Sequence, residues 1–222
     1  MREYIKTGLI LMAYCAIAGL SLGLVYQVTK DRIALTEVQE KLGAVEQVLK
    51  DESGKYIVAL DQLRSAVAKV DQQVKVIFEN AKGKVYSPVY EFDSDLGKVY
   101  VLTGSSLGYG GPVTVVACFV KKPEGFSLFS LKVTDFSQET PGLGAKIGDP
   151  EIQKRFYPME ASALANGVRV DKDANLSQLS ADEAKKQGVA KVSDVMTGAT
   201  ITPRAVANAL NAMLDYLSGV KR

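Results

Sequence analysis

The sequence predicts an α+β protein: a single transmembrane helix at the N-terminus, then one domain with a mainly antiparallel sheet and flanking helices. Three observations carry this. An uncharged apolar run fills 8–28, four short segments rich in Val, Tyr and Phe succeed one another with turn residues between them, and an amphipathic segment closes the chain.

The run at 8–28 would cover roughly 30 Å as a helix, one full crossing of a bilayer core. A bulky Tyr14 stands before Cys15 where lipoprotein processing wants a small residue, so an uncleaved anchor is expected. Ala13, Ala16, Ala18, Gly19, Ser21 and Gly23 would let neighbouring helices approach. Orientation does not follow from charge, because Arg2 and Lys6 before the span are balanced by Lys30, Arg32 and Lys41 after it.

Beyond the anchor, Leu35, Val38, Leu42, Val45 and Leu49 recur at spacings of three and four, which predicts a stalk or docking helix over 31–50. Leu63, Val67, Val70, Val74 and Ile77 suggest a second helix, against which a strand at 74–78 competes because the segment is β-branched. Strands are expected at 85–92, 98–103, 113–120 and 126–133. The third of these is apolar on both faces and reads as a central strand, with Cys118 as core filling. The stretch 171–191 is polar and small, a surface excursion with a short helix near 181–187. The last helix is expected to begin with Thr202 as N-cap and Pro203 as first residue. It would bury Val206, Ala209, Leu210, Met213, Leu214 and Leu217, and stop at Gly219.

Composition narrows the chemistry. Lys and Arg total 27 against 25 Asp and Glu, a net charge of +2 that gives no basic field for nucleic acid. The two cysteines lie in unrelated segments and are expected to be far apart and reduced. With no histidine in the chain, Ser-His and Cys-His nucleophile pairs and histidine-ligated zinc or haem are excluded. Neither a metal centre nor a catalytic side chain is assigned, and any chemistry calls for a cofactor.

Three glycine-bearing loops stand out. In the first, Gly108, Tyr109, Gly110 and Gly111 precede Pro112, and three glycines in four residues imply positive φ angles or a ligand close to the backbone; a tight turn between strands accounts for them as well. The second runs Glu139, Thr140, Pro141, Gly142, Leu143, Gly144, Ala145, Lys146. It reads as a turn or as a site for a phosphate or planar ring, and Leu143 between two glycines would be an exposed apolar side chain unless something covers it. The third contains Asp194, Thr197, Gly198, Ala199 and Thr200, just ahead of the last helix, where unpaired N–H groups would suit a phosphate. Its threonines could equally serve in local turn bonds.

Together the three strings resemble the FMN-binding domain family to which the G subunit of the Rnf ion-translocating complex and the C subunit of the sodium-pumping NADH:quinone oxidoreductase belong. The resemblance runs from the anchor to the last helix. It implies that Thr200 bears FMN, esterified covalently through its phosphate by a flavin transferase, and that Asp194, Thr197, Gly198 and Ala199 form the recognition string. It further implies that Glu139, Thr140, Gly142, Leu143 and Gly144 form one flavin-facing wall and Tyr109, Gly110 and Gly111 the other. A short chain without a long insertion points to the Rnf G type, an electron-transfer subunit without an active site of its own. The implied domains are a cytoplasmic segment 1–7, a span 8–28, a helical stalk 29–80 and an extracytoplasmic FMN-binding domain 81–222. Implied partners are the other redox subunits, the transferase and the lipid bilayer of a bacterial or archaeal membrane. Many relatives carry a histidine just before the second loop, where this chain has Ser137 and Gln138, so no imidazole is available there for proton handling. The quinone-reductase subunit and a tethered scaffold without flavin are the alternative readings. A flavin reductase with its own nicotinamide site ranks last, since no Gly-x-Gly-x-x-Gly segment follows a strand.

Overall fold

The computed structural model describes the backbone of residues 2–68 and 74–219 and the side chains of 4–29, 42–66 and 74–219. Leu35, Val38, Val67 and Val70 of the expected stripes lie outside those described side chains. The chain divides into two units, Met1–Lys41 and Leu42–Arg222.

In the first unit lies most of helix α1, Arg2–Val48. Its stretch Tyr4–Thr29 has a mean hydropathy of 2.1 and is long and apolar enough to cross a membrane, with none of it buried against protein. Ser21 and Thr29 turn their hydroxyls back onto the carbonyls of Ile17 and Val25, which satisfies them inside the helix itself.

The second unit is built on a five-stranded antiparallel sheet in sequential order: β1 (Val76–Glu79), β2 (Lys84–Ser94), β3 (Gly97–Leu107), β4 (Pro112–Lys122) and β5 (Gly125–Asp135). The four expected strands are all present, each extended by a few residues. β4 lies between β3 and β5 and is buried on both sides, as its unbroken apolar run requires. On one face Val113, Val115, Ala117 and Phe119 enter the larger core. On the other, Val116, Cys118 and Val120 meet Ala44, Val45, Val48 and Leu49 from the end of α1, with Val58 and Leu63 beside them. Of the stripe expected over 31–50, Val45 and Leu49 are buried in this smaller core. Cys118 is a free, buried thiol whose pKa burial drives far upward, so it is inert filling.

The second helix is shorter than its apolar period suggests. Helix α2 spans Leu60–Ala68, and Val76–Glu79 is the edge strand β1, so the competing strand reading holds there. Pairing with β2 and the extended preference of Val and Ile prevail over the helical spacing.

After β5 come a 3₁₀ turn at Gly144–Gly148 and the short helix α3 (Pro150–Gln153). A second 3₁₀ turn at Ala163–Asn166 leads into β6 (Arg169–Val170), α4 (Asp171–Ala174), α5 (Ala181–Lys185) and β7 (Val189–Ala190), with β6 and β7 parallel. Ser180 and Glu183 close a capping box on α5, which accounts for the helix foreseen there. The segment 171–191 is more than a surface excursion, however. Asp171, Ala184, Val189 and Ala190 are fully buried, because the parallel pair docks on the larger core. Finally α6 (Ile201–Leu217) lays Val206, Ala209, Leu210 and Met213 across β3 and β4, and Gly219 with φ 67° ends it.

Phe119 is fully buried at the centre of the larger core. Phe119→Ala is expected to destabilise the domain by about 3–5 kcal/mol, read as a lower denaturation midpoint of the solubilised chain.

Candidate functional site

The three glycine-bearing loops, distant in sequence, meet at one end of the sheet. The first is the turn of the β3–β4 hairpin, closed by a bond from the Gly108 N–H to the Gly111 carbonyl at 2.8 Å. The second follows β5 and folds on itself through Leu143 N–H to Thr140 carbonyl at 3.1 Å before entering the 3₁₀ turn. The third turns through Met196 N–H to Val192 carbonyl at 2.8 Å and delivers the chain to α6. The N-cap of α6 is Thr200, not Thr202, and its side chain makes no capping bond. Thr202 sits inside the first turn because its hydroxyl has a stronger partner elsewhere.

Between the loops is a groove of about 470 Å³, within the size range of small-molecule and cofactor sites. Tyr109 from the first loop, Glu139, Thr140, Leu143 and Gly144 from the second, and Gly198, Ala199 and Thr200 from the third all line it. Gly110, Gly111, Gly142, Asp194 and Thr197 belong to the same loops but do not face the groove. Two lining residues escape a reading of the sequence, Ile201 and Thr202. Tyr109, Leu143 and Ile201 are 72%, 45% and 41% exposed, so three large apolar side chains rim the opening in water. Such clustered exposure marks a surface meant to be covered.

The glycines of the first loop have a cause other than the one expected. None of the three has a positive φ. A Cβ on Gly110 would lie 1.8 Å from the Gln138 carbonyl oxygen, and one on Gly111 would lie 2.0 Å from Gln138 Oε1. What approaches this backbone is the second loop, and the glycines are the condition for that contact. Positive φ does occur at Gly142 (75°) and Gly198 (85°), where the other two loops turn.

Glu139 ties the site together. Its side chain is 4% exposed. Oε1 accepts from the Tyr109 N–H at 2.8 Å and the Gly110 N–H at 3.4 Å, and Oε2 accepts from the Thr202 hydroxyl at 2.5 Å. One carboxylate thus joins the hairpin turn, its own loop and the start of α6.

A second set of carboxylates, on α4, holds the third loop from behind. Asp171 accepts from the N–H groups of Val192 and Ser193 at 3.2 and 3.3 Å and from the Ser193 hydroxyl. Asp173 makes a two-pronged pair with Arg204 on α6, at 2.6 and 2.7 Å. The loop bearing Thr200 is therefore fixed at its entrance by one acid and at its exit by the other. Burial pushes the Asp171 carboxyl up, but bonds from the Ser193 hydroxyl, the Val192 N–H, Ser177 and the Ser193 N–H outweigh it and hold the pKa below the ordinary range. Hydrogen bonding to Arg204 pulls Asp173 down, and the same bond pushes Arg204 up. Asp194, on the outer side, pairs with Arg155 at 3.4 Å and stays accessible.

Comparisons with known proteins agree with one another. Residues 108–215 match the FMN-binding domain family, and residues 1–48 match the RnfG N-terminal region. The G subunit of the ion-translocating oxidoreductase complex of Methanosarcina acetivorans is 25% identical, over 98% of this chain and 96% of its own length. The corresponding G subunit from Shewanella amazonensis is 26% identical, over 98% of this chain and 89% of its own. A Thermotoga maritima crystal structure, described as an RnfG subunit of an electron transport complex, is 44% identical with a TM-score of 0.67. It covers 82% of this chain and 98% of that one.

The Asp171 bonds give a pH dependence with a defined sign. Because its pKa is depressed on folding, its stabilisation is complete above the ordinary carboxylate value and is lost as pH falls below about 4. Asp171→Asn is expected to cost about 1–3 kcal/mol at neutral pH. The gap in melting temperature between variant and parent should then close as the pH is lowered through that window.

Proposed function

The chain belongs to the RnfG family, and from that premise we propose that it is a membrane-anchored electron-carrier subunit of an ion-translocating redox complex, with FMN esterified through its phosphate to the Thr200 hydroxyl. The observation that carries the attachment is the state of Thr200. It lines the groove, stands at the first turn of α6 and does not spend its hydroxyl on capping the helix. Thr197 is exposed away from the groove with its hydroxyl on the Ser193 carbonyl at 3.4 Å, and Thr202 is bonded to Glu139, which leaves Thr200 as the acceptor best placed.

The residues present fit a flavin. The apolar rim of Tyr109, Leu143 and Ile201 suits a planar ring, Thr140 offers a hydroxyl, and the N–H groups at the start of α6 suit an anionic phosphate. FMN bound there would supply the electron transfer, while the protein supplies position and electrostatics. Gly142, Gly110 and Gly111 shape the loops that form the two walls. Asp194, Thr197, Gly198 and Ala199 present the accessible string that a flavin transferase would read. No separate substrate site is invoked. Electrons pass between this subunit and neighbouring redox subunits, and ion movement belongs to the rest of the complex.

Residues 8–28, within the apolar stretch Tyr4–Thr29, are the membrane anchor in this reading, with lipid as their surroundings. The segment 1–7 is cytoplasmic and residues 31–222 are extracytoplasmic. A covalent tether suits that placement, because cofactor lost outside the cytoplasm could not be replaced from its pool, and the tether keeps the local concentration high.

Chain produced with a flavin transferase should be yellow after denaturation and carry FMN minus one water on the Thr200 peptide by mass spectrometry. Thr200→Val should lose that adduct while melting as the parent apoprotein does; an adduct retained on Thr197 would assign the wrong acceptor. For topology, a C-terminal reporter active only outside the cytoplasm should score positive, and activity from a cytoplasm-restricted reporter would reverse the orientation.

A further inference from the structure

We propose that the buried Glu139 carboxylate, positioned by Thr202, is a fixed negative charge that keeps the reduction potential of the flavin in the adjoining groove low. This rests on the reading that the groove holds FMN. Glu139 lines the groove while being almost wholly withdrawn from water. Among the described residues no Lys or Arg pairs with it. Its three partners are two backbone N–H groups and one hydroxyl, all neutral. They satisfy the oxygens without supplying a counterion.

The space for this charge is built. A Cβ on Gly108 would fall 2.2 Å from Oε1, and one on Gly144 would fall 2.2 Å from Oε2, so two loops keep glycine where the carboxylate sits. Burying an ion without a counterion is costly. A neutral glutamine could accept the same two N–H bonds and exchange a bond with Thr202, so linking the loops does not by itself call for a charge. The charge acts on the groove. Electrons arriving on a bound flavin add negative charge, and a fixed carboxylate beside it, poorly screened by water, opposes their arrival. Thr202 is a positioning residue: its hydroxyl donates to Oε2 and holds that oxygen toward α6, away from the hairpin.

The test uses the full chain, solubilised and flavinylated, in four forms: parent, Glu139→Gln, Thr202→Val and Thr202→Ser. Intact mass first establishes the FMN adduct in each. Anaerobic redox titration then reads the midpoint potential, and amide exchange reads the Tyr109 N–H. Glu139→Gln should shift the potential upward with the adduct retained and the Tyr109 amide still protected. Thr202→Val should shift it in the same direction, and Thr202→Ser should return it to the parent value. A parent chain with no flavin adduct overturns the functional reading and this one with it. A loaded Glu139→Gln at the parent potential overturns this proposal alone. If Glu139→Gln fails to load, equal potentials in the Val and Ser variants at position 202 overturn it instead.

Discussion

The packing of α6 across β3 and β4 is the constraint from which the site follows. The buried stripe of Val206, Ala209, Leu210 and Met213 fixes the helix against the sheet, and each burial contributes by removing apolar surface from water. A helix fixed along its length has a fixed beginning. That beginning is Thr200, set beside the β3–β4 turn and the loop leaving β5. The hydrophobic core therefore aims a hydroxyl, although none of the four stripe residues lines the groove.

Packing places the elements, but polar contacts set the loops to finer tolerance. Glu139 reaches across to the hairpin and to α6, while Asp171 and Asp173 brace the third loop from the far side. The two sets differ in kind. Asp173 faces a guanidinium, so its charge is matched, whereas Glu139 is met by neutral donors only. Neutral donors satisfy a carboxylate's lone pairs without cancelling its field.

Legibility in the sequence divides along the same line. The strands and α6 are readable because their apolar spacing is local and repeats every two or every three to four residues. The first two loops are readable as motifs because glycines cluster there, and the third because one glycine and two threonines stand just ahead of a helix start. The ties between them are not. Glu139 and Thr202 are 63 positions apart, and Asp171 and Ser193 are 22 apart, with nothing local to announce either pair. Thr202 reads as an N-cap because a threonine before proline at a helix start usually is one. The structure gives that place to Thr200 and sends the Thr202 hydroxyl inward. The glycines of the first loop mislead in a related way. They signal close approach correctly, yet the approaching group is Gln138 of the same chain.

Because Gln138 fills the space behind those glycines, a large planar cofactor would have to be held in the groove between the loops and not behind the hairpin turn. The loops are close-packed against one another, with Gln138 and Glu139 backing the hairpin turn. The rim is the opposite, with Tyr109, Leu143 and Ile201 exposed. A cofactor held only by such a rim would gain modest apolar contact and would exchange with solvent. The proposed bond at Thr200 would hold such a cofactor without full enclosure, because dissociation would no longer compete with binding. An open rim would then be an advantage, since the edge of a ring held there would stay within reach of a partner's redox centre, which a closed pocket would keep at a distance. Close-packed loops behind, an open rim in front and a threonine hydroxyl not spent on capping at one side are what the proposed electron-carrying subunit calls for.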